Sequence, residues 1–474
     1  MRYLLGTLLV FLLFAAATSA QETPRPDPLL AGFAAADITP PLGLRMSGYF
    51  SERLATAIKD PLYAKVMALR QGDTTAVVVC CDLLDMDAAL TRDVRARAEA
   101  ELGIPAGHVV LTATHTHTGP LYGDVQRFFL DDPNTPPDPV MEQTAVYETD
   151  LRDRIVAAIG EAIAGAQPVQ MRRGAGQIEG IAFNRRFYMK DGTVRFNPGK
   201  LNPEIVRVAG PTDLEVGVIA FGDGQGAPKA LFTSFALHLD TTGGTEYSAD
   251  YPGYLQRALR EHFGPDLLSI FGTGTCGDIN HVDVSHNEPQ KGLSEPERIG
   301  TALAGAVVAA EPGLADTPQP QLGIARIVVE APKRPWTEEE LAAARETVRH
   351  LSEGKTPFLD DVHARRVVHV ATAPGDTIPL DVQVLRLSED AAIVFLPGEV
   401  FVELGLHIKR SSPFATTLVV ELANSYPSYI PTAQGFAEGS YETVSARVPP
   451  GWGEEMAEAA RRLLYQLKYP APAQ

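Results

Sequence analysis

Two histidines separated by a single residue, His115 and His117, are the side chains whose spacing first indicates chemistry in this sequence. They lie in the segment TATHTHTGP at positions 112–120, which is rich in β-branched threonine. If this segment is a β-strand, its side chains alternate between two faces, and both imidazoles point to the same side. The pair could then bind one metal ion, act as an acid–base pair, or lie on a hydrated strand without a chemical role.

Other polar residues come at the ends of apolar runs far along the chain. His238 ends the run FTSFALH, and Glu399 lies shortly after IVFL, where an unpartnered carboxylate would be costly to bury. Tyr429 and Tyr441 lie in the glycine-containing segment SYIPTAQGFAEGSYET. A lone buried histidine is more often a core residue than a ligand, and a tyrosine is commonly a packing residue, so each has little weight by itself.

The cysteines do not form a site of their own. Cys80, Cys81 and Cys276 match neither a disulfide framework nor a zinc-finger spacing. Cys80 and Cys81 are adjacent inside an apolar run, which favours their burial as small hydrophobic side chains. Any metal site must therefore use histidine, carboxylate or tyrosine ligands.

The elements that must position these residues recur three times along the chain. Each unit reads as a strand, a polar turn and a second strand, followed by a helical pattern and a closing apolar strand. This alternation predicts an α/β fold of layered mixed β-sheets flanked by helices. The paired strands are expected within 66–85, 216–240 and 382–400, the helices at 88–102, 252–263 and 400–410, and the closing strands at 108–114, 267–272 and 416–422.

The polar candidates occupy related places in these units. Asp82, His238 and Glu399 follow the second strand of their units, and His115 lies at the end of the third strand of the first unit. The segments GTCGDINH (274–281) and NSYPSYIP (424–431) follow the third strands of the other two units. Ligands of open α/β sheets bind outside the carboxyl ends of the strands, so we expect these residues to meet at one edge.

The start of the chain is typical of an exported protein. Residues 1–20 combine an early arginine, an apolar run and small residues, which predicts a signal peptide cut after Ala20 and a secreted or periplasmic protein. Residues 21–30 are expected to form a loose leader. Residues 31–470 are expected to form one catalytic domain, with a Pro-rich joint at 311–322.

Charge and hydropathy limit the partners of the mature chain. The 59 acidic and 41 basic residues give a net charge of −18, which argues against nucleic acid or an anionic membrane as a partner. No later apolar run is long enough to predict a transmembrane anchor. A small-molecule or lipid substrate reached through an apolar cleft stays open, and the sequence carries no signal for an oligomeric state.

Seven segments occur in the order found in the neutral (non-lysosomal) ceramidases: AAADITPPLG, TATHTHTGP, NRR, HLDTTGG, CGDIN, LPGEVF and YPSYIPT…SYE. From about Gly32 to about Tyr469 the chain resembles the N-terminal catalytic domain of this family, in a bacterial form without the immunoglobulin-like C-terminal domain. Members of the family are zinc amidases that release a fatty acid from a sphingoid base. The resemblance therefore implies hydrolysis of an N-acyl amide, with ceramide as the first substrate to consider.

The resemblance also implies a role for each matching residue. Two histidines, one carboxylate and one phenol suit zinc, which accepts nitrogen and oxygen ligands and leaves a position for water. The expected ligands of one zinc ion per chain are His115, His238, Glu399 and Tyr429. The expected catalytic groups are Asp278 as general base, His117 as proton shuttle to the leaving amine, and Arg185 and Tyr441 as donors to the oxyanion.

One loop departs from the family pattern and keeps other functions open. Asn280 stands where the family has serine, and His281 follows it; we expect both to contact the substrate, so its head group can differ from that of ceramide. The alternatives are a zinc hydrolase of another amide or ester, and a non-catalytic binding protein that retains the cleft. A TIM-barrel amidohydrolase is disfavoured, because each unit here has two strands before its helix.

Overall fold

The structure is a computed structural model, and it describes residues 27–123, 138–224, 226–292, 294–317, 319–351 and 354–470. The predicted signal peptide lies outside these ranges. In the described part, Leu29 is buried and the first strand begins at Leu30.

The strands, numbered along the chain, are β1 Leu30–Asp37, β2 Ala57–Ile58, β3 Tyr63–Gln71, β4 Thr74–Cys81, β5 Val109–Ala113, β6 Gln167–Pro168, β7 Gln170–Gln177, β8 Phe183–Asn184, β9 Arg186–Met189, β10 Val194–Phe196, β11 Ile205–Val208, β12 Glu215–Gly222, β13 Ala230–Phe235, β14 Glu246–Tyr247, β15 Leu268–Thr273, β16 Ile279–Asn280, β17 Ala315–Asp316, β18 Pro320–Pro332, β19 Thr377–Ser388, β20 Ala391–Phe395, β21 Glu399–Val400, β22 Thr416–Val420 and β23 Tyr429–Ile430.

The α-helices are α1 Ala88–Leu102, α2 Pro139–Ala164, α3 Tyr251–Phe263, α4 Glu295–Ala310, α5 Glu338–Arg349, α6 Phe358–Thr372, α7 Val402–Ser411, α8 Ala433–Glu438, α9 Tyr441–Ser445 and α10 Trp452–Lys468. Helix α5 begins with a capping box between Thr337 and Glu340.

The three predicted units form three sheets with the same internal order. The sheets run β5-β4-β3-β1-β6, β15-β13-β12-β7-β17 and β22-β20-β19-β18. In each sheet an antiparallel hairpin is followed by a helix and a parallel strand, as in β3–β4–α1–β5. The α/β prediction of layered mixed sheets flanked by helices is therefore confirmed.

Strand side chains alternate between two buried faces, which explains the near-continuous apolar runs. In β4, Val77 and Val79 pack towards helices α1 and α2. Val78 and Cys80 pack on the other face, in a core cluster that also contains residues of the second and third sheets. Because the three sheets share this cluster, their strand ends meet around one region.

The segment predicted as a Pro-rich joint is part of two strands. The segment 311–322 contains β17, which pairs with β7, and the start of the long strand β18. Among the described residues, we find no helix with the length and apolar character needed to cross a membrane.

Candidate metal centre

His115 lies in a loop just after β5, in an unusual backbone conformation. Its φ is 78°, in the left-handed region that side chains other than glycine rarely adopt. Such strain is kept mainly where the surrounding structure fixes it, commonly at functional sites. The loop is held because His115 N donates to Leu83 O at 2.9 Å, and the ring Nδ1 donates to Leu84 O at 2.7 Å.

The strand argument for the histidine pair is therefore wrong, although the two rings do lie together. β5 ends at Ala113, so His115 and His117 are not on a strand. The Nε2 atoms of the two rings are nevertheless 3.4 Å apart, because the loop turns back at His115. The loop conformation, and not strand alternation, brings the rings together.

His238 reaches the same point from the second sheet. It follows β13, is 2 % exposed, and has its Nδ1 3.1 Å from Cys276 O. Its Nε2 lies 3.0 Å from Nε2 of His115. Burial, together with the neighbouring His115 and Arg185, lowers the pKa of His238 well below its usual range, so the ring is neutral at pH 7.

Glu399 supplies a carboxylate from the third sheet. Its Oε1 accepts a hydrogen bond from the hydroxyl of Tyr426 at 2.5 Å. Its Oε2 is 3.4 Å from Nε2 of both His115 and His238, and it has no hydrogen-bond donor although it is buried. Burial alone would raise the pKa of Glu399, but its interactions with His115 and with two tyrosine hydroxyls lower it to about 2.

In the neutral form of both imidazoles, these contacts bring three lone pairs together. Backbone carbonyls only accept hydrogen bonds, so Leu84 O and Cys276 O fix the proton of each imidazole on Nδ1. Both Nε2 atoms therefore face Oε2 of Glu399 as acceptors. Three converging acceptors repel one another unless a cation lies between them. A backbone carbonyl that accepts the Nδ1 proton is also the usual partner of a metal-binding histidine. The donor set fits zinc.

Tyr429 completes the predicted ligand set. It lies on β23, directly beside Glu399 on β21 in a parallel pair. Its hydroxyl accepts a hydrogen bond from Arg185 Nη2 at 3.1 Å and also interacts with the Glu399 carboxylate. Burial raises the pKa of Tyr429 well above its usual range, so the phenol is protonated when no cation binds it.

His117 forms the third member of a histidine cluster. Ligand atoms of His115, His117 and His238 all lie within 4.8 Å of one another, a grouping that can hold a metal ion. On its other side, Nδ1 of His117 is 4.0 Å from Asp240 Oδ1. This oxygen accepts hydrogen bonds from Tyr49 and Lys291. Burial lowers the pKa of His117 to about 3.

Arg185 and Tyr441 both lie at the centre. Arg185 donates from Nε to Glu442 at 2.8 Å and from Nη2 to Gly277 O at 2.8 Å, and its Nη1 is 3.5 Å from His238 Nε2. The ring of Tyr441 meets that of Tyr429 edge to face at 5.3 Å. Seven of the ten predicted site residues therefore lie together. They are the four expected ligands, His117, Arg185 and Tyr441.

The three residues predicted from the 278–281 loop have other partners. Asp278 accepts from Asn184 Nδ2 at 2.7 Å and from Val402 N at 2.8 Å, the latter at the start of α7. Burial raises the pKa of Asp278 to about 6.

The side chains that follow bond within their own surroundings. Asn280 donates to Asn197 at 2.8 Å, and Nε2 of His281 bonds to Gln290 O at 2.5 Å. None of the hydrogen bonds found in the described residues joins these side chains to the histidine cluster. The loop is therefore held against its neighbours rather than against the ligands.

Sequence reasoning missed two residues that hold the site. Tyr426 donates to Glu399, and Glu442, with no exposed surface, accepts from Arg185. Both lie in the motif YPSYIPT…SYE, next to residues that were predicted. The sequence did carry a signal for Glu442, because a carboxylate next to Tyr441 could pair with the predicted Arg185.

The cavity beside the cluster is small, and its surface is polar and apolar in about equal parts. Its volume is about 40 Å³, well below the range of about 300–1,000 Å³ typical of small-molecule sites. Most of its lining side chains carry a polar group, and Phe50 and Leu84 are the apolar ones. The lining residues are Gly48, Phe50, Leu84, His115, His117, Glu399, Tyr426, Ser428, Tyr429, Tyr441, Ser445 and Arg447.

Comparison with known proteins agrees with the fold. The structure is similar to that of neutral ceramidase from Pseudomonas aeruginosa, with a TM-score of 0.73 and 18 % identity over 94 % of this chain and 76 % of that chain. It is also similar to a ceramidase complexed with C2, with a TM-score of 0.71, 18 % identity and the same coverage. No family model and no curated protein matches the chain. The fold implied by the sequence resemblance is confirmed.

Proposed function

We propose that this protein is a zinc-dependent hydrolase of N-acyl amides, of the neutral ceramidase type. One zinc ion per chain would be held by His115, His238, Glu399 and Tyr429. The observation that carries the proposal is the unpartnered Oε2 of Glu399, which lies 3.4 Å from two imidazole nitrogens whose protons point away from it. The likeness in fold to ceramidases supports the same reading.

The side chains around the ligands suit cleavage of an amide. Zinc, when bound, supplies a Lewis acid that activates water and polarises a carbonyl. Arg185 is held in place by Glu442 and Gly277 O, and it donates towards the ligand centre beside Tyr441. We assign these two side chains to stabilising the oxyanion. A fixed guanidinium needs no rearrangement as the charge develops.

Proton transfer is assigned to His117 and Asp278. Burial keeps the His117 ring neutral, so its Nε2 has a lone pair that can accept a proton released by the attacking water and then pass it to the leaving amine. Each Asp278 oxygen accepts one hydrogen bond and keeps a second lone pair. With its pKa near 6, this carboxylate is available as a base at neutral pH.

The substrate proposed first is ceramide, cleaved to a sphingoid base and a fatty acid. A smaller N-acyl amide or an ester is the second candidate, and the small volume of the cavity favours it. Asn280 and His281 are kept as substrate contacts in both cases. A secreted or periplasmic location, based on residues 1–20, fits an exported hydrolase.

The test uses the purified protein and one matched pair of variants. We expect about one zinc per chain by metal analysis, and release of fatty acid from a panel of ceramides and short N-acyl amides. Glu399→Gln should lose both zinc and activity. Glu403→Gln, an exposed acid four residues away on α7, should keep both.

Three results are informative. Activity on short amides but not on ceramide would select the second candidate. Zinc retention without turnover of any amide or ester would favour a binding protein. A Glu399→Gln variant that binds zinc as the parent does would contradict the metal centre.

A further inference from the structure

Glu421 is a completely buried carboxyl group that follows β22. Two donors satisfy it: Cys276 Sγ lies 3.1 Å from Oε1, and Val400 N donates to Oε2 at 2.7 Å. A buried carboxyl without donors would be strongly destabilising. Each of its donors is adjacent in sequence or in space to an expected zinc ligand.

The Cys276 side of this contact bears on His238. Cys276 O accepts the Nδ1 proton of His238, so the position of this peptide sets the direction of Nε2 towards the metal centre. Cys276 Sγ is itself only 3.7 Å from the same Nδ1. A shift of Cys276 would therefore turn the imidazole.

The Val400 side bears on Glu399, its chain neighbour. The two segments are in direct contact, because Gly277 N donates to Val400 O at 2.9 Å. A Cβ atom at Gly277 would lie 2.6 Å from Glu399 O, so only glycine permits this approach. Glu421 joins the two segments at that point through its carboxyl group.

The backbone of Glu421 extends the contact to the third ligand. Its N–H donates to Thr273 O at 2.8 Å, at the end of β15. Its carbonyl accepts from Thr112 Oγ1 at 2.8 Å, on β5 three residues before His115. One residue thus contacts the segments that carry His115 and Glu399, and the segment whose Cys276 O holds His238.

We propose that Glu421, with Cys276 as its partner, is a positioning residue that fixes the relative placement of the three ligands from the three sheets. The inference rests on the proposed zinc centre. Glu421 acts through hydrogen bonds and not through its charge. Burial raises the pKa of Glu421 well above its usual range; the neutral carboxyl accepts from Val400 N with Oε2 and shares a proton with Cys276 Sγ at Oε1, and a glutamine amide can keep both contacts.

The experiment measures zinc affinity of the full chain by competition with a chromogenic chelator, alongside circular dichroism and thermal unfolding of the zinc-free protein. Glu421→Ala should weaken zinc binding about 10- to 100-fold, as expected for loss of an outer-sphere partner. Cys276→Ala should give a smaller loss. Glu421→Gln should bind zinc as the parent does. Leu151→Ala, a core change in α2, should lower the melting temperature and leave zinc affinity unchanged.

Several outcomes overturn the inference. Unchanged affinity in folded Glu421→Ala would do so, as would a loss in Glu421→Gln as large as that in the alanine variant. If Glu421→Ala does not fold, the decision passes to Cys276→Ala, whose unchanged affinity would contradict the proposal. Absence of zinc binding in the parent protein would instead remove the proposed metal centre itself, and the positioning role with it.

Discussion

Replacing Tyr426 with phenylalanine should weaken zinc binding while leaving the fold intact. The hydroxyl of Tyr426 donates to Oε1 of Glu399 at 2.5 Å, on the side of the carboxylate away from the unpartnered Oε2. Phenylalanine removes only this hydroxyl and keeps the ring. The substitution therefore isolates one hydrogen bond to an expected ligand.

Two separate estimates of the effect agree. A hydrogen bond to a charged group contributes about 1.5–3 kcal/mol. Loss of an outer-sphere partner typically weakens metal binding about 10- to 100-fold. This equals about 1.4–2.8 kcal/mol, since each tenfold step is about 1.4 kcal/mol. We expect the Kd for zinc to rise by that factor.

The pH dependence of zinc binding should change in a defined direction. Zinc and protons compete for the histidine ligands, so a centre that binds zinc more weakly loses it at a higher pH. The variant should therefore release zinc at a higher pH than the parent when the solution is acidified.

The assay is a chelator competition titration at pH 7 and at lower pH, with thermal unfolding of the zinc-free protein as the check on folding. Tyr147→Phe is the control, because Tyr147 is a buried phenol that donates to the backbone carbonyl of Ile38 at 2.9 Å. The reasoning is refuted if folded Tyr426→Phe has the parental Kd and pH profile, or if Tyr147→Phe weakens zinc binding equally.

Three further changes test the catalytic groups and the shared core. Arg185→Met should lower kcat about 100- to 1,000-fold, as for loss of an oxyanion donor. Arg207→Met, at an exposed position, should keep the parental kcat. A kcat of Arg185→Met equal to that of the parent would contradict the assignment. The parent should lose activity as the pH falls through about 6, where Asp278 is protonated, and Asp278→Asn should be slow with no such step in its pH–rate profile. Leu418→Ala should cost about 2–5 kcal/mol of unfolding free energy in one cooperative transition, because this side chain lies in the core cluster common to the three sheets; separate transitions would show otherwise.

The repeated units were predictable because each has a local signature. Strands buried on both faces give continuous apolar runs, and the polar turns between them mark the hairpins, as at Gly72 and Asp73 between β3 and β4. The helix α1 was predicted with its exact observed range, since it follows an Asp87 cap and ends before Gly103. Both signals depend on residues close in sequence.

The metal centre was less predictable because it depends on contacts between distant segments. The strands β21 and β23 have two residues each, too few to give a periodic pattern, yet their pairing places Glu399 beside Tyr429. The left-handed conformation of His115 has no sequence signal of the kind that glycine gives. Tyr426 and Tyr429 look equivalent by residue type, and the family resemblance singles out Tyr429 as an expected ligand, whereas the hydrogen bond from Tyr426 to Glu399 is seen only in the structure.

Asp82 shows that a position at the end of a strand is not enough to make a polar residue a metal ligand. It follows β4 as Glu399 follows β20, but its Oδ2 accepts from Tyr63 N at 2.9 Å and its Oδ1 lies 3.3 Å from the Thr114 hydroxyl. Both Asp82 oxygens therefore have protons to accept, whereas Oε2 of Glu399 has no hydrogen-bond donor and lies 3.4 Å from Nε2 of His115 and of His238. A buried carboxylate is available to a cation when its neighbours are acceptors, and the tautomers fixed by Leu84 O and Cys276 O create that condition at Glu399 alone of these two sites.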